Sequence, residues 1–304
     1  MKVTLLVNAS ASSVTARTRV VIQKALSADH EVVVAETSRR GHATRLAQGA
    51  SATGTDVVVV LGGDGTLNEA ANGLAGTDCA LAALPGGSTN VFARTLGLPD
   101  DLIEATSVLL EAMAAGSIRR VGLGAVEGRF FLFHVGIGFD AAVVAQVERR
   151  STLKRYASHP LFIWSGLTTW FGHYDRSSPH LALRYPDGLT VDDGYMAIVQ
   201  NTDPYTYLAG RPLSLAPEAT LDRGLAVICV RTMAPVPMVR LVTGLLTSPA
   251  AVRKHPKVHH RVDVAALDVV GLGPVPYQVD GDYLGDTEHL HFEHHPEVLS
   301  LVIP

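Results

Sequence analysis

The chain has 304 residues, enough for two domains with cores of their own. Its 47% hydrophobic and 18% charged residues describe a folded protein, and a net charge of −4 argues against a general nucleic-acid binder. Cys79 and Cys229 lie far apart in apolar surroundings, which predicts buried thiols and excludes a disulfide framework or a zinc site.

The first third alternates strands and helices. Residues 3–7 read as a strand, 14–26 as a helix, 31–35 as a strand and 41–50 as a helix. Residues 56–61 form a β-branched run suited to a strand buried on both faces. That run ends in Gly62-Gly63-Asp64-Gly65, followed by Thr66-Leu67-Asn68-Glu69 as a helix start with an acid in its first turn. Residues 80–84 are a fourth strand, ending in a second turn, Pro85-Gly86-Gly87-Ser88-Thr89-Asn90. Helices to about residue 96 and over 102–115 follow. Repeated strand–helix units predict a doubly wound parallel sheet, with ligands at the carboxyl ends of its strands, where both glycine loops fall. From about residue 117 short runs at 130–135, 180–185, 195–200 and 225–230 are separated by Gly, Pro and Asp, which predicts an antiparallel, β-rich second domain. One helical stretch, 140 to about 170, interrupts it, and residues 298–303 are again strand-like.

The first glycine loop lacks the Gly-Lys-Ser/Thr of a P-loop and the Gly-x-Gly-x-x-Gly spacing of a dinucleotide site. Its glycines let backbone approach a bulky anion, and the helix start supplies free N–H groups. A plain strand–helix turn does not need three glycines and a carboxylate. Asp280-Gly281-Asp282 has two readings: a hairpin turn, or two acids that share a face if the segment is a strand, with Gly281 favouring a bend.

The Gly-Gly-Asp-Gly-Thr loop resembles that of diacylglycerol-type lipid kinases, NAD kinases and, more loosely, phosphofructokinases. The second loop, through Val91-Phe92-Ala93-Arg94-Thr95-Leu96-Gly97, resembles the Pro-x-Gly-Thr-x-Asn-Asp-Phe-Ala-Arg-x-Leu-Gly motif of the diacylglycerol kinase catalytic-domain family, which includes soluble bacterial lipid kinases and the sphingosine and ceramide kinases. Thr37 to Ala43, Asn72-Gly73-Leu74, Gly136-Ile137-Gly138-Phe139-Asp140-Ala141 and Asp280-Gly281-Asp282 continue the resemblance in order. It implies a nucleotide domain over residues 1–120, completed by a returning strand at about 296–304, and a β-rich lipid-substrate domain over 121–295, with the active site in the cleft. ATP would be contacted by Asn8, Thr37, Gly62, Gly63, Asp64, Gly65, Thr66, Leu67, Asn68, Gly87, Ser88 and Asn90. Asp64 would sit beside the nucleotide and its Mg2+, and Asp282 would be the proton acceptor.

The chain departs from the family pattern at four places. Asp282 stands for a Glu, and Val91 for a common acid. Arg223 replaces the second Asp of an Asp-Asp-Gly that holds a structural magnesium in some bacterial members, so that site is expected to be empty here. The loop Asn8-Ala9-Ser10-Ala11-Ser12 stands for Asn-Pro-x-Ser-Gly. The implied activity is phosphorylation of the primary hydroxyl of diacylglycerol or a related lipid. The alternatives are an NAD kinase-like enzyme and an inactive nucleotide- or lipid-binding protein.

Further features weigh on partners. No apolar run approaches the ~20 residues that cross a bilayer, and the N-terminal run is too short for a signal peptide. The expected location is the cytoplasm, with transient contact at the inner face of the plasma membrane. Arg149, Arg150, Lys154 and Arg155 precede Tyr156, Phe162, Trp164, Trp170 and Phe171; this reads equally as a peripheral membrane contact and as a solvated helix face over an aromatic core. Residues 253–257 are expected to be an exposed loop. His289, His291 and Glu293 alternate as on the polar face of an edge strand, a reading preferred to a metal site. Sheet edges leave room for a homodimer.

Overall fold

A computed structural model describes residues 1–149, 158–172, 174–208 and 210–304, without the side chains of 158–163 and 249. The chain forms two compact units, Met1–Leu123 with Pro296–Pro304, and Gly124–His295. It crosses from one to the other within β5 (Ile118–Val126) and within β16 (Asp282–Val302).

The first unit holds β1 (Lys2–Val7), β2 (Glu31–Glu36), β3 (Val57–Gly62) and β4 (Ala80–Pro85) in the order β2-β1-β3-β4, all parallel. The end of β16 adds a further parallel strand beside β4, with Leu301 opposite Leu81. Every residue of β3 and β4 is buried, as their unbroken apolar runs require. Each fully buried Val or Leu there contributes about 1.5–3 kcal/mol relative to exposure. Between strands lie α1 (Ala16–Leu26), α2 (His42–Ala52), α3 (Asp64–Leu74), α4 (Val91–Thr95) and α5 (Leu102–Ala114). Helix α1 packs with α5, and α2 with α3. Thr15 and Thr18 form a capping box, which starts α1 two residues later than expected. Asp101 caps α5 through the Ile103 and Glu104 N–H groups, both at 2.9 Å. The sheet order changes direction between β1 and β3, so the ends of those two strands frame its topological switch point.

The second unit is antiparallel: β14 (Val258–Val264), β13 (Leu225–Val230), β10 (Met196–Gln200), β7 (His134–Gly138), β15 (Ala266–Val279) and β16 lie in that order. Strand β15 is irregular between Val270 and Val275. Its first half pairs β8 (Leu181–Arg184), which pairs β9 (Thr190–Gly194), and its second half pairs β7. One strand thus serves two layers of a sandwich, filled by Leu181, Leu183, Val199, Val227, Leu267 and Phe292. The short β6 (Arg129–Phe131) pairs β5, and β11 (Thr206–Leu208) pairs β12 (Arg211–Leu213).

Several expectations are corrected. The run 130–135 is two strands, β6 and β7, because Asp280 binds the backbone N–H groups of Leu132, Phe133 and His134 where they meet. The described helix in 140–170 is two segments, α6 (Phe139–Glu148) and α7 (Ser158–Gly172). Helices α8 (Pro235–Thr247) and α9 (Pro249–Arg253) were not expected; their prolines read as breaks but sit in first turns, where a missing N–H costs nothing. Arg253 therefore ends a helix and pairs with Glu218 rather than lying in an open loop. Strand β16 pairs with β15 and also with β5 and β4, and the Glu127 N–H reaches the His291 carbonyl at 3.1 Å, so it is not an edge.

Both cysteines are buried, and burial pushes the Cys79 thiol up to about 11 and the Cys229 thiol up to about 12. No described helix is long and apolar enough to cross a membrane.

Candidate active site

Two glycine loops lock together beyond β3 and β4. The Gly86 N–H donates to the Gly62 carbonyl at 2.9 Å. A Cβ on Gly87 would lie 2.8 Å from the Gly63 Cα, so only glycine permits this approach of backbone to backbone. Asn90, at φ 51°, holds the second loop closed: its Oδ1 accepts from the Gly87 N–H at 2.7 Å and its Nδ2 donates to the Gly87 carbonyl at 3.0 Å. Ser88 is exposed at the tip of that loop.

Asp64 ties the first loop to the helix after the second. Its Oδ2 accepts from the Val91 N–H at 3.0 Å and its Oδ1 from the Phe92 N–H at 3.1 Å. Those amides open α4, where no carbonyl of the same helix is available to them. The carboxylate expected beside magnesium is thus also the cap of α4, with further lone pairs on each oxygen. The first loop continues into α3, whose opening amides and positive dipole end suit an anion. Asn8, at the end of β1, donates from Nδ2 to the Thr66 Oγ1 at 2.9 Å and accepts from the Ser10 N–H at 3.0 Å. It bridges the switch point and orients the Thr66 hydroxyl.

Thr37 joins through its N–H, which donates to the Val7 carbonyl at 2.9 Å. Glu69 holds the segment after it, accepting from Gly41 N–H at 2.7 Å and Ala43 N–H at 3.1 Å. Leu67 and Asn68 are buried in α3. The structure therefore brings Asn8, Gly62 to Thr66, Gly87 and Asn90 together, with Thr37 tied to the end of β1.

In the second unit, Asp280 and Gly281 are the two central residues of the β15–β16 hairpin, with φ of 47° and 81°. Both values are positive, as a tight two-residue hairpin demands. The hairpin-turn reading of this motif is the one observed. The two acids do not share a face. Asp280 is buried, its Oδ2 accepting from Leu132 N–H at 2.7 Å and its Oδ1 from Phe133 and His134 N–H at 3.0 and 3.1 Å. Asp282 opens β16, is partly exposed, and lies 3.8 Å from the Arg129 guanidinium.

A buried brace behind this turn escaped sequence reasoning. The Gln278 Oε1 accepts from the Gly281 N–H at 2.8 Å, and its Nε2 donates to the Asp140 Oδ2 at 2.9 Å. The Tyr205 hydroxyl donates to Asp140 Oδ1, and burial with that carboxylate alongside holds the phenol well above its usual range. The Tyr205 ring lies 4.5 Å from the His134 ring, and burial pushes His134 down to about 4. Asp140 was visible inside a motif, but nothing local announced its partners Tyr205 and Gln278.

Other candidates stay apart from this chemistry. His289 and His291 hold Asp268 at 3.1 and 2.8 Å, and no group of three His, Cys, Asp or Glu suited to a metal occurs among the described residues. Arg223 is exposed on a turn. Of the basic–aromatic cluster, Arg150, Lys154, Arg155, Tyr156 and the Phe162 side chain lie outside the described residues; Trp164 and Phe171 are exposed, whereas Trp170 packs on Phe139 at 5.9 Å.

A parallel sheet with interlocked glycine loops beyond β3 and β4, joined in one chain to an antiparallel sandwich, defines a two-unit protein with an α/β and a β-rich part. Residues 2–126 match the diacylglycerol kinase catalytic domain. A diacylglycerol kinase of Staphylococcus saprophyticus is 28% identical over 285 residues, 92% of this chain and 88% of its own. A diacylglycerol kinase of Bacillus subtilis is 37% identical over 121 residues, 39% of each chain. A solved diacylglycerol kinase structure from Bacillus anthracis aligns with a TM-score of 0.69 at 22% identity, over 100% of this chain and 97% of that one, which is a likeness of fold. Over residues 2–126 the chain is thus similar to the diacylglycerol kinase catalytic domain, and over most of its length to bacterial diacylglycerol kinases.

Proposed function

We propose that this protein is an ATP-dependent lipid kinase. It transfers the γ-phosphoryl group of MgATP to the primary hydroxyl of diacylglycerol or a related lipid, giving phosphatidic acid or its analogue. The observation that carries the reading is the backbone-to-backbone lock of Gly63 against Gly87 at the strand ends, which supports phosphate oxygens meeting N–H groups without Cβ atoms there.

Phosphoryl transfer is mostly positioning and charge neutralisation, and each residue has a share in it. Amides of Gly63 and of the start of α3, with the Thr66 and Ser88 hydroxyls, hold phosphate oxygens. Asn8 orients Thr66, Asn90 keeps the second loop in shape, and Asp64 fixes one loop to the other. Asp64, whose oxygens keep further lone pairs beyond the Val91 and Phe92 amides, would stand beside a nucleotide-bound magnesium ion, which would supply neutralisation of the phosphate charge. Asp282 accepts the proton of the acceptor hydroxyl as its oxygen bonds phosphorus and ADP leaves. The Gln278 amide fixes the turn that presents Asp282.

The test is transfer of labelled γ-phosphate from MgATP to a panel of lipids in mixed micelles, with NAD as a parallel acceptor and Asp282→Asn alongside. A labelled organic-phase product that disappears in the variant supports the reading and begins to name the lipid. Label on NAD alone replaces it with the NAD kinase reading. ATP binding without label on any acceptor supports the inactive one.

A further inference from the structure

We propose that the outer face of α8 docks on an anionic lipid bilayer, a reading that rests on the lipid acceptor proposed above. Four aliphatic side chains of this helix stand in solvent: Val236 at 62%, Val239 at 66%, Val242 at 53% and Leu246 at 58% exposure. Their spacing puts them on one side of a helix. The opposite side is already used: Leu241 is buried against Ile198, Ile228 and Val252, with Met238 and Leu245 packed alongside. The outer stripe therefore has no task in the core, and four adjacent exposed aliphatics exceed the scattered ones a surface ordinarily carries.

Charge identifies the occupant. Between Asp222 and Asp263 the chain carries seven Lys or Arg residues and no Asp or Glu, in a protein whose net charge is −4. Arg231 and Arg261 pair with Asp193 and Asp187, and Arg253 with Glu218. Arg240 lies exposed on α8 itself, and Lys254 and Lys257 lie exposed just beyond α9. An apolar helix face with Arg240 on the same helix, in a stretch of chain free of acids, is what an anionic interface holds: aliphatics reach the acyl boundary while cations remain at headgroup level. Size argues against a second copy. A 13-residue helix is about 20 Å long, so one face offers about 200 Å², against the ~800 Å² per partner of a stable interface. The stripe also lacks the aromatic anchors that centre protein–protein contacts.

The experiment is co-sedimentation of the full chain with phosphatidylcholine vesicles, plain or containing phosphatidylglycerol, with no ATP present. The native protein, Val239→Ser/Leu246→Ser and Arg240→Gln/Lys254→Gln/Lys257→Gln are compared, after circular dichroism establishes that each is folded. Since a cation near the surface contributes about five-fold to partitioning, the triple variant is expected to lose about a hundred-fold on phosphatidylglycerol vesicles. The serine pair is expected to lose at least about ten-fold, while phosphatidylcholine alone binds weakly throughout. Unchanged binding by both variants overturns the assignment, as does a native protein that ignores both vesicles. A concentration-dependent dimer abolished by the serine pair, with vesicle binding intact, assigns the stripe to a second copy instead. Because sedimentation needs no turnover, failure here is separate from failure of the kinase reading.

Discussion

The two carboxylates of Asp280-Gly281-Asp282 are separated by one residue, and a pair of isosteric substitutions tests whether they differ in use as proposed. In Asp280→Asn one carboxylate oxygen becomes an NH2 group. Facing Leu132 N–H, that group turns a 2.7 Å hydrogen bond into an unsatisfied buried donor, at about 1–3 kcal/mol. The bonds from Phe133 and His134 N–H lose their charge assistance, about 1 kcal/mol each. The expected destabilisation is about 3–5 kcal/mol, a large part of a typical domain's stability. Asp282→Asn, at a partly exposed strand start, is expected to cost under about 1 kcal/mol while abolishing phosphoryl transfer. Both tryptophans, Trp164 and Trp170, belong to the second unit, so fluorescence during urea unfolding reports on the unit that carries the motif. Equal midpoints for Asp280→Asn and the native protein would refute the staple; a midpoint for Asp282→Asn that falls as far would refute the division of roles.

Other expectations follow from the same geometry. Stability should fall with acid through His134: the folded state refuses a proton down to about pH 4, whereas the unfolded imidazole accepts one near 6.5. Its contribution is thus complete above pH 6.5 and is lost toward pH 4 at about 1.4 kcal/mol per unit; unfolding of His134→Gln should lack that share of the slope, and identical pH profiles would exclude it. Gly87→Ala should push the loops apart and weaken ATP binding by about ten-fold or more in calorimetric titration, with the fold retained. Unaltered ATP affinity would remove the loop lock from the site. Glu69→Gln releases one of two backbone donors beyond Thr37, so the KM for ATP should rise about five-fold with kcat little changed. A fall in kcat alone would instead place that segment nearer the chemistry.

Much of the first unit was legible because its information is local. Buried parallel strands leave unbroken apolar runs, and backbone contact demands glycines in sequence, so β3, β4 and both loops could be read directly. The resemblance added an ordered set of motifs, including Asp282, whose role no spacing reveals. Helices α8 and α9 were missed because proline reads as a break unless its place in the first turn is known. Asp64 shows what motif reading leaves out: besides the role the resemblance implies, its two oxygens accept from amides 27 and 28 positions later. Asp140, Tyr205 and Gln278 are farther apart still and meet only when antiparallel strands bring them side by side. The sequence by itself determined the strand–helix rhythm, the glycine loops and the acid of the hairpin, since each follows from neighbouring residues. Tertiary structure alone decided which carboxylates cap backbone, because a hydrogen-bond partner is chosen by distance in space.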